Sequence, residues 1–135
     1  MSISDHRSQW PNAIFCLGFA LLLGHELDAV ARAEWRLLPI LSGLADATAE
    51  RAFVLLHIPL VASLLWASFH RSERVRSRTR IGLCAFLVVH GGLHAALSGH
   101  PHNQFEAPVE TITVYGAAAV GALYLFLRAR PAPKE

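Results

Sequence analysis

Four apolar stretches, each close to the length a helix needs to cross a bilayer, leave little else in this chain of 135 residues. A crossing takes about 20 mostly apolar residues. Such stretches lie at residues 12–30, 51–69, 80–98 and 108–127, joined by connections 31–50, 70–79 and 99–107. A lipid-embedded backbone must satisfy its own hydrogen bonds, which leaves helices or closed barrels. The expected fold is therefore all-α: a four-helix transmembrane bundle in a single membrane domain spanning residues 1–135. Composition agrees, with 53% hydrophobic and 16% charged residues, against about 25% charged in an ordinary soluble domain. A net charge of +2 is too small for a polyanion footprint, so no nucleic-acid partner is expected. Two cysteines make no disulfide framework, and Cys16 and Cys84 read as packed thiols.

Basic residues set the expected orientation. Arg7, Arg71, Arg74, Arg76, Arg78, Arg80, Arg128, Arg130 and Lys134 fall on one side of a four-span chain. Arg32, Arg36 and Arg51 fall on the other. The chain is thus expected in a cell (inner) membrane, bilayer lipid as its first partner, with both termini and the Arg-rich connection in the cytoplasm. Trp10 and Trp35 are expected in the interfacial belts.

Ionisable groups within a span are costly unless paired, so each marks a functional hypothesis. At a rise of about 1.5 Å per helical residue, His25 lies about 20 Å from the cytoplasmic end of its helix and His57 about 18 Å. His90 and His94 lie about 15 and 21 Å along theirs. Four histidines from three helices thus share one layer in the outer half of the bilayer. Glu26 and Asp28 stand in or just above it, and Glu110 lies higher on the fourth helix. His90 and His94 are four apart and share a face, as do His25 and Asp28, three apart. Gly91, Gly92 and the pair Ala117 and Gly121 offer places for close helix approach. Pro59 frees the carbonyl of Leu55 beside His57.

Imidazole and carboxylate are ligands for Zn, Fe and Mn, and bundles build metal sites from side chains on facing helices. The expected metal ligands are His25, Asp28, His57, His90 and His94. Glu26 and Glu110 are the candidate catalytic carboxylates, and Glu34 is a candidate ligand or orienting acid. His100 and His102 in the outer connection either join the site or are solvated. A divalent metal fits this donor set better than haem. A metal there could activate water or oxygen or polarise a carbonyl, which suits an oxidoreductase or hydrolase acting on a lipid-like or small amphiphilic substrate. Two alternatives stay open: a metal-free His/Glu acid–base enzyme of the isomerase kind, and a non-enzymatic proton or metal conduit or accessory subunit. The zincin pattern is absent, since His25-Glu26 is followed by Ala29 where a histidine is needed.

The blocks His25-Glu26-Leu27-Asp28-Ala29, Glu34-Trp35-Arg36 and His57-Ile58-Pro59-Leu60, with His90, His94, Asn103 to Phe105 and Tyr115-Gly116, carry a resemblance over most of the chain. It resembles a family of small four-helix bacterial membrane proteins catalogued only as a domain of unknown function. The resemblance implies the four-span fold and supplies no activity, ligand or partner. A looser likeness links it to small membrane families with a His-and-paired-acid motif in the first helix. Here Glu26 and Asp28 are not adjacent, so the chain departs from that pattern.

The orientation is open to direct measurement. A topology reporter fused after Glu135 is expected to read cytoplasm, and one inserted at Asp46 to read outside. The reverse pair of readings would move the histidine layer to the cytoplasmic leaflet.

Overall fold

The protein, described from a computed structural model over residues 3–99 and 108–130 with side chains from residue 10 onward, is built of four long helices. Helix α1 spans Ile3–Ala31, α2 Asp46–Ser68, α3 Glu73–Ala96 and α4 Pro108–Ala129. A single 3-10 turn, Glu34–Leu37, lies between α1 and α2. All four helices contain a segment long and apolar enough to cross a membrane, which is consistent with a membrane protein. Their outward faces fit lipid: α2 buries only Ala49, Phe53 and Ser68, while Val54, Leu55, Leu56, Ile58, Leu60 and Trp66 face out.

The observed helices differ from the hydropathy windows mainly at one end of the bundle. Helix α3 begins at Glu73 rather than near residue 80, so most of the Arg-rich connection is helical and only residues 69–72 link α2 to α3. Arginine is a good helix former, and a charged first turn can extend a span beyond its apolar window. Helix α2 likewise starts at Asp46, five residues before its apolar window.

The core is built from α1, α3 and α4. Phe15, Phe19 and Leu22 of α1 pack on Leu83, Cys84 and Leu87 of α3 and on Ala117 and Tyr124 of α4. Cys84 is thus packed as expected, whereas Cys16 is exposed on the outer face of α1. Two glycines set the α3–α4 spacing. A Cβ on Gly121 would stand 2.7 Å from the carbonyl oxygen of Cys84, and one on Gly91 would stand 2.7 Å from the Cβ of Ala118. Small residues let transmembrane backbones meet in this way. Gly92, expected to share the role, faces open space.

A second cluster joins Ala29, Trp35, Leu41, Ala49 and Phe53. Trp35 is therefore not an interfacial residue: it is buried, with its ring 6.1 Å from that of Phe53. The connection folds back onto α1 and α2, which a sequence-only depth estimate does not register. Trp10, by contrast, is 68% exposed.

The glycine contacts yield a stability test. Gly121→Ala is expected to cost about 1–3 kcal/mol, the usual range for overpacking, read by thermal unfolding in detergent. Gly92→Ala, placed in open space, is expected to leave stability unchanged or slightly raised. Equal behaviour of the two variants would remove the close α3–α4 contact as a determinant of the fold.

Candidate metal centre

His25 is almost completely buried, at 1% exposure, on the face of α1 that meets α3 and α4. His90 and His94 come to it from consecutive turns of α3. The three rings form a triangle, with centroids 4.9 Å apart for His25–His90, 4.8 Å for His25–His94 and 4.6 Å for His90–His94. Gly91, between the two α3 histidines, lets α4 lie close behind them.

The fourth member comes from the turn after α1. Ala33 adopts a left-handed conformation, φ 56° and ψ 42°, and is the one non-glycine residue with positive φ among the described residues. This conformation costs an alanine roughly 1–2 kcal/mol. It reverses the chain so that Glu34 points back at α1. One carboxylate oxygen of Glu34 lies 3.3 Å from His25 Nε2 and the other 3.7 Å from His94 Nε2. Burial opposes the charge on Glu34, but hydrogen bonds and positive charge from His25 and His94 outweigh it and hold the carboxyl at about 2. The turn is anchored on its outer side by Arg36, whose Nη2 and Nε reach the Asp46 carboxylate at 2.7 and 3.2 Å.

His25, Glu34, His90 and His94 each offer a ligand atom, and these atoms all lie within 4.8 Å of one another. A tetrahedral zinc site with bonds of about 2.0–2.1 Å has ligand separations of roughly 3.4 Å. Closure on an ion therefore needs only small side-chain movements. His90 Nε2 is buried and has no hydrogen-bond partner among the described residues. Buried polar atoms are normally satisfied, and a buried imidazole nitrogen without a hydrogen-bond partner, on a ring grouped with three other ligand-type side chains, is suited to a cation. The group could hold a metal ion.

His57 and Asp28, expected among the ligands, stand apart from this group. His25 and Glu26 are consecutive, so they project about 100° apart around α1. His25 turns toward α3 and Glu26 toward α2. His57 meets Glu26, with Nε2 2.9 Å from the carboxylate, and its Nδ1–H donates to the Phe53 carbonyl at 2.7 Å. The expectation of four histidines around one point is corrected to three histidines and Glu34, because equal depth does not fix the direction in which a side chain points. Asp28 lies 3.7 Å from Arg32 Nε, on the side where Arg32 also reaches Glu110 at 3.0 Å. Glu110 is buried and charge-compensated there. It stands at the entry to a π-helical turn, Thr111–Tyr115, a feature frequent at functional sites. The two outer-loop candidates, His100 and His102, lie outside the described residues, as does the block Asn103 to Phe105.

Two apolar cavities flank the Glu26–His57 pair. One, of about 340 Å³, lies among α1, α2 and α3 and is walled by Phe19, Leu60, Leu64 and Phe86. The other, of about 360 Å³, lies between α1 and α2 beside Leu27, Val30 and Val54. Among the described residues, the only polar side chains lining either cavity are Glu26 and His57.

The left-handed turn gives a second stability test. Ala33→Gly, which removes the Cβ clash, is expected to match the wild type within about 1 kcal/mol, since glycine's unfolded-state entropy offsets the relief. Ala33→Val, β-branched at positive φ, is expected to cost at least about 1–3 kcal/mol in thermal unfolding. Full stability of the valine variant would show that the reversal at Ala33 is not needed to place Glu34.

No curated protein and no solved structure matches the chain. A family model matches it over residues 11–131, nearly its whole length, with the histidine group and the Glu26–His57 pair inside the matched region. The chain belongs to that family, the family of unknown function DUF6713.

Proposed function

We propose that this is an integral membrane protein of a bacterial inner membrane, both termini cytoplasmic, that binds one divalent transition metal through His25, Glu34, His90 and His94. We further propose that it acts as a metal-dependent enzyme on a lipid-like or small amphiphilic substrate. The observation that carries the reading is the meeting of three imidazoles and one carboxylate within 4.8 Å, with the buried His90 Nε2 unpartnered among the described residues. Zn, Fe and Mn all accept this donor set. The unequal distribution of Arg and Lys supports the orientation.

A divalent ion held there supplies Lewis acidity toward a carbonyl or a bound water. The chain's own groups provide the rest. The apolar cavities on either side of Glu26 and His57 suit an alkyl chain entering from the bilayer, and the pair presents the polar contact for its functional group. Both ring nitrogens of His57 face acceptors, the Phe53 carbonyl and the Glu26 carboxylate. A proton is therefore shared across the Glu26–His57 contact and sits at the cavity wall. Glu110 holds Arg32 beside Asp28 rather than facing these cavities.

That shared proton favours a second reading, a metal-free acid–base enzyme using Glu26 and His57. Elemental analysis separates the two. After loading with Zn(II), Fe(II) or Mn(II) and desalting, the wild type is expected to retain about one ion per chain, the count a single four-donor site can take. His90→Gln and Glu34→Gln should each keep about a tenth of that or less after desalting, because losing a direct ligand costs at least the roughly 10–100-fold in affinity that losing an outer partner does. His57→Gln, outside the group, should keep its full complement. An absence of stoichiometric metal in the wild type would end the metal reading and leave the acid–base pair. Metal lost equally from His57→Gln would mean that the group is wrongly drawn.

A further inference from the structure

The end of the bundle away from the candidate metal group holds a polar cavity, of about 320 Å³, where the start of α1, the first turns of α3 and the end of α4 meet. Arg76, Arg80 and Arg128 line it together with Asn12, Ser77 and Tyr124. Glu73 is the single acid in the lining among the described residues. None of the three guanidiniums forms an ion pair with a carboxylate among the described residues.

Arg80 is the most telling of them. It is 7% exposed, yet its charge has no carboxylate partner among the described residues. Its Nε donates to the Ser68 carbonyl at 2.9 Å and its Nη1 to the side-chain oxygen of Asn12. The guanidinium lies over two rings, 4.8 Å from the centroid of Phe15 and 5.1 Å from that of Phe69. These contacts fix the plane of the group without neutralising it. The other two arginines are also held: Arg76 Nη1 donates to the His70 carbonyl at 3.0 Å, and Arg128 Nη2 to Ser77 Oγ at 2.9 Å. A guanidinium has five N–H donors, so each retains donors beyond these bonds.

A buried cation normally has a counter-charge. Preset guanidiniums are the group of choice for phosphate, which they grip through paired N–H bonds. We propose that this cavity binds a phosphate group at the membrane surface, the ion pair that Arg80 lacks within the described part of the chain being completed by the ligand. Arg76 and Arg80 are four residues apart on α3 and so share a face, and Arg128 closes the cavity from α4. Basic pockets between helices at a membrane surface suit anionic headgroups, and a soluble phosphate offers the same oxygens. The site is independent of the metal group, which lies about 15 Å farther along α3, measured from Arg80 to His90.

Thermal unfolding and native mass spectrometry of the full chain in neutral detergent test the proposal. The probes are phosphatidic acid, diacylglycerol with the same chains, and inorganic phosphate. Phosphatidic acid is expected to raise the unfolding temperature and to remain bound, while diacylglycerol does neither. If inorganic phosphate alone gives the full effect, the ligand is a soluble phosphate; if only phosphatidic acid does, it is a lipid headgroup. Arg80→Gln risks misfolding, so the variant pair is chosen from the other arginines. Arg76→Gln with Arg128→Gln should weaken binding by about tenfold or more, given the strength of charged hydrogen bonds. Arg71→Gln with Arg74→Gln removes the same charge from exposed positions outside the lining and should leave binding within about twofold of the wild type. Absence of any phosphate-dependent effect, or an equal loss in both double variants, would overturn the proposal.

Discussion

His25 sits at 1% exposure in the middle of an apolar bundle, and the arrangement around it follows from the need to partner its ring. Hydrocarbon supplies no hydrogen bonds, so a buried imidazole must find protein groups. It finds Glu34, 3.3 Å away, and two further imidazoles on α3. Glu34 can be there only because the chain reverses at Ala33, in a conformation alanine rarely adopts. Strain of this kind persists where the surroundings over-determine it. Here the surroundings are the buried Trp35 and Phe53 behind the turn and the Arg36–Asp46 pair on its outer side.

The other half of the constraint is the fit of α3 against α4. With Gly91 and Gly121 the two backbones meet so closely that a methyl group at either position would collide. That contact sets where His90 and His94 stand relative to α1, because α4 also packs along α1 through Gly116 and Gly24. Helix α2 has no such fit. It touches the rest of the bundle through Phe53, the Glu26–His57 bridge, the partly buried Val61 and Leu64, and its ends, and the space left along it forms the two apolar cavities. Looseness at α2 and tightness at α3–α4 have the same origin: glycines face a neighbouring helix in one case, and large branched side chains face outward in the other.

The four helices were legible in the sequence because crossing a bilayer imposes length and apolarity on every span, and both survive as plain runs of residues. The layer of histidines was legible for a similar reason, since rise per residue converts position into depth. Direction around the helix was not. His57 and His25 share a depth, yet His57 points to Glu26, and nothing in a depth estimate separates the two faces of α1. Glu34 was visible as a candidate ligand or orienting acid, but which of the two was not legible, since its place depends on a left-handed alanine that no residue preference announces. Trp35 misled for the same reason: an aromatic residue just past a span usually marks the interface, and here the turn carries it inward. The extension of α3 through the arginines was hidden by treating charge as the end of a helix, when only lipid contact, not helicity, ends there.

One turn of α1 thus serves two chemistries. His25 and Glu26 are neighbours in sequence, and the helical step of about 100° sends them to opposite partners. The first enters a group of four atoms that could hold a metal ion, and the second bonds His57 at the wall of the apolar cavities. Neither contact could be moved to the other face without rotating the whole helix, which the packing of Phe15, Phe19 and Leu22 forbids. The rotational setting of α1 is therefore the variable that joins the core to the chemistry. Large apolar residues around the middle of the helix hold it, and the two polar residues nearer its end make use of it.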